Sequence, residues 1–141
     1  MDRNILFLCS GNSARSQMGE AILKKHAGEQ FKVFSAGTEP KSEIHPLTLK
    51  VMTEAGYDLS SQYPKDIHQF LGKLHFEKVI IVCSHADENC PAIFGAAQRL
   101  SGPFDDPAAA KGSEEEQLKS FRQVRDEIEA KIVTWIKNNF K

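Results

Sequence analysis

Residues 5–20, Ile-Leu-Phe-Leu-Cys-Ser-Gly-Asn-Ser-Ala-Arg-Ser-Gln-Met-Gly-Glu, constrain this chain more than any other stretch. An apolar run ends on Cys9, small polar residues follow, and helix-compatible sequence begins near Arg15. The pattern predicts a buried strand, a tight loop and the first turns of a helix. A helix that starts directly after a strand turns unpaired backbone N–H groups and the positive end of its dipole toward the loop, which makes a seat for a tetrahedral oxyanion. Ser10, Gly11, Asn12, Ser13, Ala14, Arg15 and Ser16 are the candidate oxyanion-binding residues, and Gly11 and Asn12 are types that tolerate left-handed backbone. Cys9 lies at the floor of the seat, where inward N–H groups and a guanidinium favour thiolate over thiol. Arg15 supplies a planar fork for two anion oxygens. Without the strand and helix around them, Cys9 and Arg15 would read only as a buried thiol and a surface arginine; that setting carries the prediction of a thiolate aimed at a phosphate-like ion.

The remaining sequence alternates strands with helices. Strands are predicted over 4–8, 31–35, 78–82 and 98–100, and helices over 13–26, from Pro46 to Gly56, from Pro64 to Leu71 or Leu74, and a long final one opening at Ser113. In the first helix Met18, Ala21, Ile22 and the stem of Lys25 are expected to face inward. Ser113 and Glu116 form a capping box, and Leu118, Phe121, Val124, Ile128, Ile132, Trp135 and Ile136 give the last helix one apolar face. At 141 residues, 1–141 is expected to form a single domain, a three-layer α/β/α sandwich on a four-stranded parallel sheet.

Two further cysteines extend the chemistry. The strand ending at Val82 runs into Cys83-Ser84 much as the first runs into Cys9-Ser10. Because ligands of open parallel sheets bind beyond the carboxyl ends of the strands, both cysteines belong on the functional edge. Cys83 and Cys90 are seven residues apart. In a helix they would share a face at a rise of about 10.5 Å, beyond the roughly 7 Å limit for a disulfide, so they can bond only if the segment loosens. Its content, Ser-His-Ala-Asp-Glu-Asn before Pro91, buries little and permits that. A zinc site from Cys9, Cys83, His85 and Cys90 matches no ordinary ligand spacing. No chemistry is assigned to His26, His45, His68 or His75. Asp105 and Asp106 offer a proton donor for an oxygen leaving opposite the thiolate, and Asp106 is preferred because Pro107 restricts its backbone.

Charge is balanced, 18 Lys and Arg against 19 Asp and Glu, which argues against a nucleic-acid or membrane-surface binder. The lack of a long apolar run or signal-peptide pattern, together with an odd cysteine count, leads to the expectation of a cytoplasmic chain with reactive thiols.

Cys9 to Ser16 with the Asp106-Pro107 loop resembles the low-molecular-weight protein tyrosine phosphatases, and the added Cys83 and Cys90 resemble their thioredoxin-coupled arsenate reductase branch, as does the stretch from Gly102 through Glu116 to Arg122-Gln-Val-Arg-Asp-Glu-Ile. The resemblance implies that Cys9 attacks arsenate held by Arg15 and the loop amides, and that Asp106 protonates the departing oxygen. It further implies that Cys83 attacks Cys9 as arsenite leaves, and that Cys90 then attacks Cys83, leaving a Cys83–Cys90 disulfide for thioredoxin. No tightly bound cofactor is implied, though some relatives hold potassium, and Asn12, Glu20, Ser35 and Asp66 stand at the matching positions. The chain departs from many relatives at Ala14, where a further cysteine is common. A monomer with residual phosphatase activity is expected. The alternatives are a phosphatase acting on aryl phosphates and a redox-responsive anion-binding module without turnover.

Overall fold

The computed structural model describes residues 3–70, 72–83 and 104–138, together with the backbone of 98–101. Its elements are β1 (Asn4–Cys9), α1 (Arg15–Ala27), β2 (Lys32–Gly37), α2 (Pro46–Glu54), β3 (Lys78–Ile81), β4 (Gln98–Ser101) and α3 (Glu114–Lys137). Short 3-10 turns occupy Ile67–Gln69 and Pro107–Ala109. The strands are all parallel, in the order β2-β1-β3-β4. All six residues of β1 are buried, as a strand covered on both faces requires.

The register decides what faces where. Cys9 lies opposite Gly37 of β2, and Leu8 opposite Ile81 of β3, so the strand ends meet at one edge. Alternate residues divide between two cores. Ile5, Phe7 and Cys9 join Ile80, Val82 and the apolar faces of α1, α2 and α3, including Met18, Ile22, Met52, Phe121 and Ile128. Leu6 and Leu8 join Val79, Ile81 and Cys83 on the other face, covered among the described residues by Ile67, Phe70 and Phe76. There Phe34, Phe70 and Phe76 meet edge to face, with centroids 5.4, 5.8 and 6.0 Å apart.

The last helix follows its sequence pattern closely. Ser113 Oγ accepts the Glu116 amide at 3.3 Å, and Leu118, Phe121, Val124, Ile128, Ile132 and Trp135 are buried, with Ile136 partly so. Arg122 and Arg125 both bind Glu54 at the end of α2, and these guanidinium hydrogen bonds hold the Glu54 carboxyl down to about 2.

Two expectations change. The helix predicted from Pro64 is only the turn Ile67–Gln69. Lys65 and Asp66 are held extended against the end of β2, with Gly37 donating to the Lys65 carbonyl at 2.8 Å, and Gly72 takes a φ of 77° just beyond. Helix can therefore neither start early nor run on. Lys25 is exposed rather than inward, its ammonium bound to the Gly56 carbonyl at 3.0 Å. The stretch 84–97, which includes His85 and Cys90, lies outside the described residues.

Gly19 marks where α1 presses on the sheet. A Cβ there would lie 2.5 Å from a ring carbon of Phe7, which has no exposed surface. Alanine gains about 1 kcal/mol of helix propensity over glycine, but overpacking a closed core costs roughly 1–3 kcal/mol. Gly19→Ala is therefore expected to lower the urea midpoint without changing the m-value; an unchanged or higher midpoint would contradict the close packing.

Candidate active site

A cavity of about 180 Å3 opens beyond the end of β1, with Cys9, the loop Ser10–Gly11, Ser13, Ala14 and Arg15 on one side and Asp106 and Ala108 on the other. Cys9 is a buried free thiol, 3 % exposed. Ala14, at the cap position of α1, makes no side-chain cap bond, and the first turn contains no acidic residue. The opening amides and the positive dipole end thus face the cavity without a carboxylate of their own turn beside them.

Arg15 is buried yet charged. One terminal nitrogen donates to the Phe104 carbonyl at 3.0 Å, and the other lies 3.8 Å from Asp106 Oδ2. Phe104 is itself tied to the sheet, its amide reaching the Val82 carbonyl at 3.2 Å. Asp106 keeps the extended backbone expected before Pro107, and its Oδ1 caps the following turn by accepting the Ala108 amide at 3.0 Å. That leaves Oδ2 as the oxygen turned to Arg15. Asp105 is exposed and does not line the cavity.

The loop is held from behind by Asn12. Its φ of 50° makes it the left-handed residue of the loop, whereas Gly11, offered for the same role, has no positive φ. Gly11 instead gives room to the Lys41 stem, 3.3 Å from where a Cβ would stand. Asn12 Oδ1 accepts the Lys65 amide at 2.7 Å, its Nδ2 donates to Ser16 Oγ at 2.8 Å, and its carbonyl accepts Gln17 Nε2 at 2.9 Å. The side chains of Asn12 and Ser16 are therefore committed to holding the loop rather than to the cavity. Gly37 lies so close that any Cβ would strike the Ser10 carbonyl.

The polar groups of the four residues that matched a potassium site are engaged with other partners. Ser35 Oγ donates to Glu20 Oε1 at 2.5 Å, Asn12 Oδ1 accepts the Lys65 amide at 2.7 Å, and Asp66 Oδ1 bonds the amide and ring of His68 at 2.9 and 2.6 Å. The Lys65 ammonium stands 3.6 Å from Glu20 Oε1. An alkali cation coordinated by Glu20 would have to share the carboxylate with that ammonium.

A family model for low molecular weight phosphotyrosine protein phosphatases matches residues 4–140. The chain belongs to this family. An arsenate reductase of Halalkalibacterium halodurans is 44 % identical over 131 residues, covering 93 % of each chain. Among solved structures, an arsenate reductase in a phosphate-binding state is 25 % identical with a TM-score of 0.74, over 96 % of this chain and 98 % of that one. A thioredoxin-dependent arsenate reductase of Corynebacterium glutamicum is 27 % identical with a TM-score of 0.69, over 97 % of this chain and 61 % of that one.

Cys83 shares the strand-end edge with Cys9 but not its cavity. It is disulfide-bonded, 3 % exposed, and packed in the core on the opposite face of the sheet. Cys90 lies outside the described residues.

Three residues of the site were not singled out by sequence. Glu39 and Lys41 line the cavity, and their amides donate to the Ser10 and Gly11 carbonyls, each at 2.9 Å. They are charged residues just past a strand end, a position that the edge rule alone could have flagged. His45 joins loop and helix: its amide donates to the Ser13 carbonyl at 3.0 Å, and its Nδ1 accepts the Leu47 amide at 3.1 Å to cap α2. Burial and the nearby Lys41 charge push His45 below its ordinary value of 6.5, against an opposing pull from Asp106. Between that lowered value and 6.5 the unfolded chain binds more protons, so this stability is complete above 6.5 and is lost as pH falls through the window. Asparagine caps without titrating. From about pH 7.5 to about pH 5 the urea midpoint of His45→Asn should therefore fall less than that of the wild type, and parallel losses would refute the assignment.

Proposed function

We propose that this chain reduces arsenate to arsenite, with thioredoxin as the reductant. The observation that carries the reading is a free Cys9 thiol at the floor of an oxyanion-sized cavity that also holds Arg15 and Asp106, with a disulfide-bonded Cys83 two residues past the end of the neighbouring β3. Arg15 and the amides of the loop hold the oxyanion, and the Cys9 thiolate attacks arsenic. Asp106 gives a proton to the departing oxygen, which leaves as water. The Cys83 thiolate then attacks Cys9 sulfur; the arsenic–sulfur bonding pair stays on arsenic, which leaves as arsenite, and a Cys9–Cys83 disulfide forms. Cys90 attacks Cys83 sulfur, freeing Cys9 as thiolate, and a thioredoxin dithiol reduces the resulting Cys83–Cys90 disulfide. The two electrons that reduce arsenic thus come from thioredoxin. The relay places the chain in the cytoplasm, where thioredoxin is kept reduced.

Hydrolysis of aryl phosphates is the second reading, favoured by the phosphatase family match and served by the same thiolate, guanidinium and acid. NADPH oxidation coupled through thioredoxin reductase and thioredoxin separates the two. Arsenate should drive it in the wild type. Cys9→Ser should lose both arsenate turnover and p-nitrophenyl phosphate hydrolysis, whereas Cys83→Ser and Cys90→Ser should lose only sustained arsenate turnover. Asp106→Asn should slow both reactions by roughly 100-fold or more. Arsenate reduction that survives in Cys83→Ser would sink the relay, and no NADPH oxidation with wild type would sink the reductase reading.

A further inference from the structure

Beneath the anion loop lies a buried cation that the proposed mechanism leaves unused. The Lys65 side chain is only 8 % exposed, and its ammonium donates to the Tyr63 carbonyl at 2.6 Å and stands 3.6 Å from Glu20 Oε1. Glu20 is itself 5 % exposed. Its other oxygen meets Lys24, a lysine 44 % exposed to water, and Ser35 Oγ bonds the oxygen nearer Lys65. A carboxylate this deep requires a cation and hydrogen bonds to remain ionised.

The backbone of Lys65 is fixed on both sides. Its amide binds Asn12 Oδ1 at 2.7 Å and its carbonyl accepts the Gly37 amide at 2.8 Å. The residue that delivers the ammonium to Glu20 is thus the one that holds Asn12, and through Asn12 the anion loop. We propose that the Lys65 ammonium is a tethered monovalent cation, neutralising Glu20 under the loop so that loop order and oxyanion affinity need no alkali metal. A diffusible ion that bound only the folded chain would stabilise it in proportion to its concentration, whereas a covalently attached one is always present. The affinity part of the proposal rests on the oxyanion reading of the loop; the stability part does not.

Thermal unfolding of the full chain in KCl and in choline chloride, at one ionic strength of about 0.15 M, tests this together with titration calorimetry of inorganic phosphate. Wild type should show the same Tm and the same phosphate Kd in both salts. Lys65→Met in choline chloride should lose on the order of 10 °C in Tm and about tenfold in phosphate affinity, and KCl should restore part of each. The double variant Glu20→Gln with Lys65→Met should regain Tm over Lys65→Met alone, because a neutral amide needs no counter-charge. A wild-type Tm raised more than about 3 °C by potassium, or a Lys65→Met variant with wild-type Tm, would overturn the proposal. So would a Lys65→Met variant whose Tm is the same in both salts. If Lys65→Met does not fold, the wild-type salt comparison and the double variant still decide. Should phosphate fail to bind at all, the oxyanion reading falls while the Tm results continue to judge the tethered cation.

Discussion

The Asn12 side-chain amide is the constraint on which the site depends. A loop that bends from a strand into a helix within a few residues cannot satisfy its own backbone, and the left-handed φ of 50° at Asn12 is part of that bend. The amide holds it from two directions, accepting from Lys65 and donating to Ser16. Because Lys65 is also bonded to Gly37 at the end of β2, the loop, the second strand and the 65–70 stretch are fixed to one another. Cys9 and Arg15, on either side of Asn12, inherit that rigidity. Under the proposed function, a small anion held over one sulfur atom would gain more from such preorganisation than from additional contacts.

The strands, the long helices and the meeting of Cys9, Arg15 and Asp106 around one cavity were legible in the sequence because their signals are local. The apolar run ending on Cys9, the Ser113 cap and the 3.6-residue repeat of α3 each lie within one segment, and the structure places them accordingly. Asp106 was readable for the same reason, since Pro107 beside it sets its backbone. What escaped were contacts between segments far apart in the chain. His45 as a cap bonded to Ser13, Lys41 against Gly11, and Lys65 under Glu20 depend on how the β2–α2 connection and the 65–70 stretch fold over the loop. No periodicity records that. The shortened helix after Pro64 has the same origin: proline suits a helix start, but pairing of Gly37 with Asp66 and Lys65 overrides the local preference.

The placement of Cys83 shows how far an edge argument reaches. The rule that strand ends gather a site correctly brings Cys9 and Cys83 to one edge, yet it does not specify which face a side chain takes. Register does. With Leu8 opposite Ile81, the next pair is Cys9 and Val82, and Val82 shares the core with Cys9 while Cys83 points to the other layer with Ile81. Disulfide-bonded Cys83 thus lies on the opposite face of the sheet from the Cys9 thiol. A relay from Cys9 to Cys83 consequently requires the chain after Ile81 to change its path by one residue's worth of alternation, since a side chain cannot pass through a hydrogen-bonded sheet. Val82 is held on both sides, its amide donating to the Leu8 carbonyl at 3.2 Å and its carbonyl accepting the Phe104 amide at 3.2 Å. Phe104 also accepts the Arg15 guanidinium. One residue, Phe104, thus joins the backbone just beyond β3 to the guanidinium that lines the Cys9 cavity.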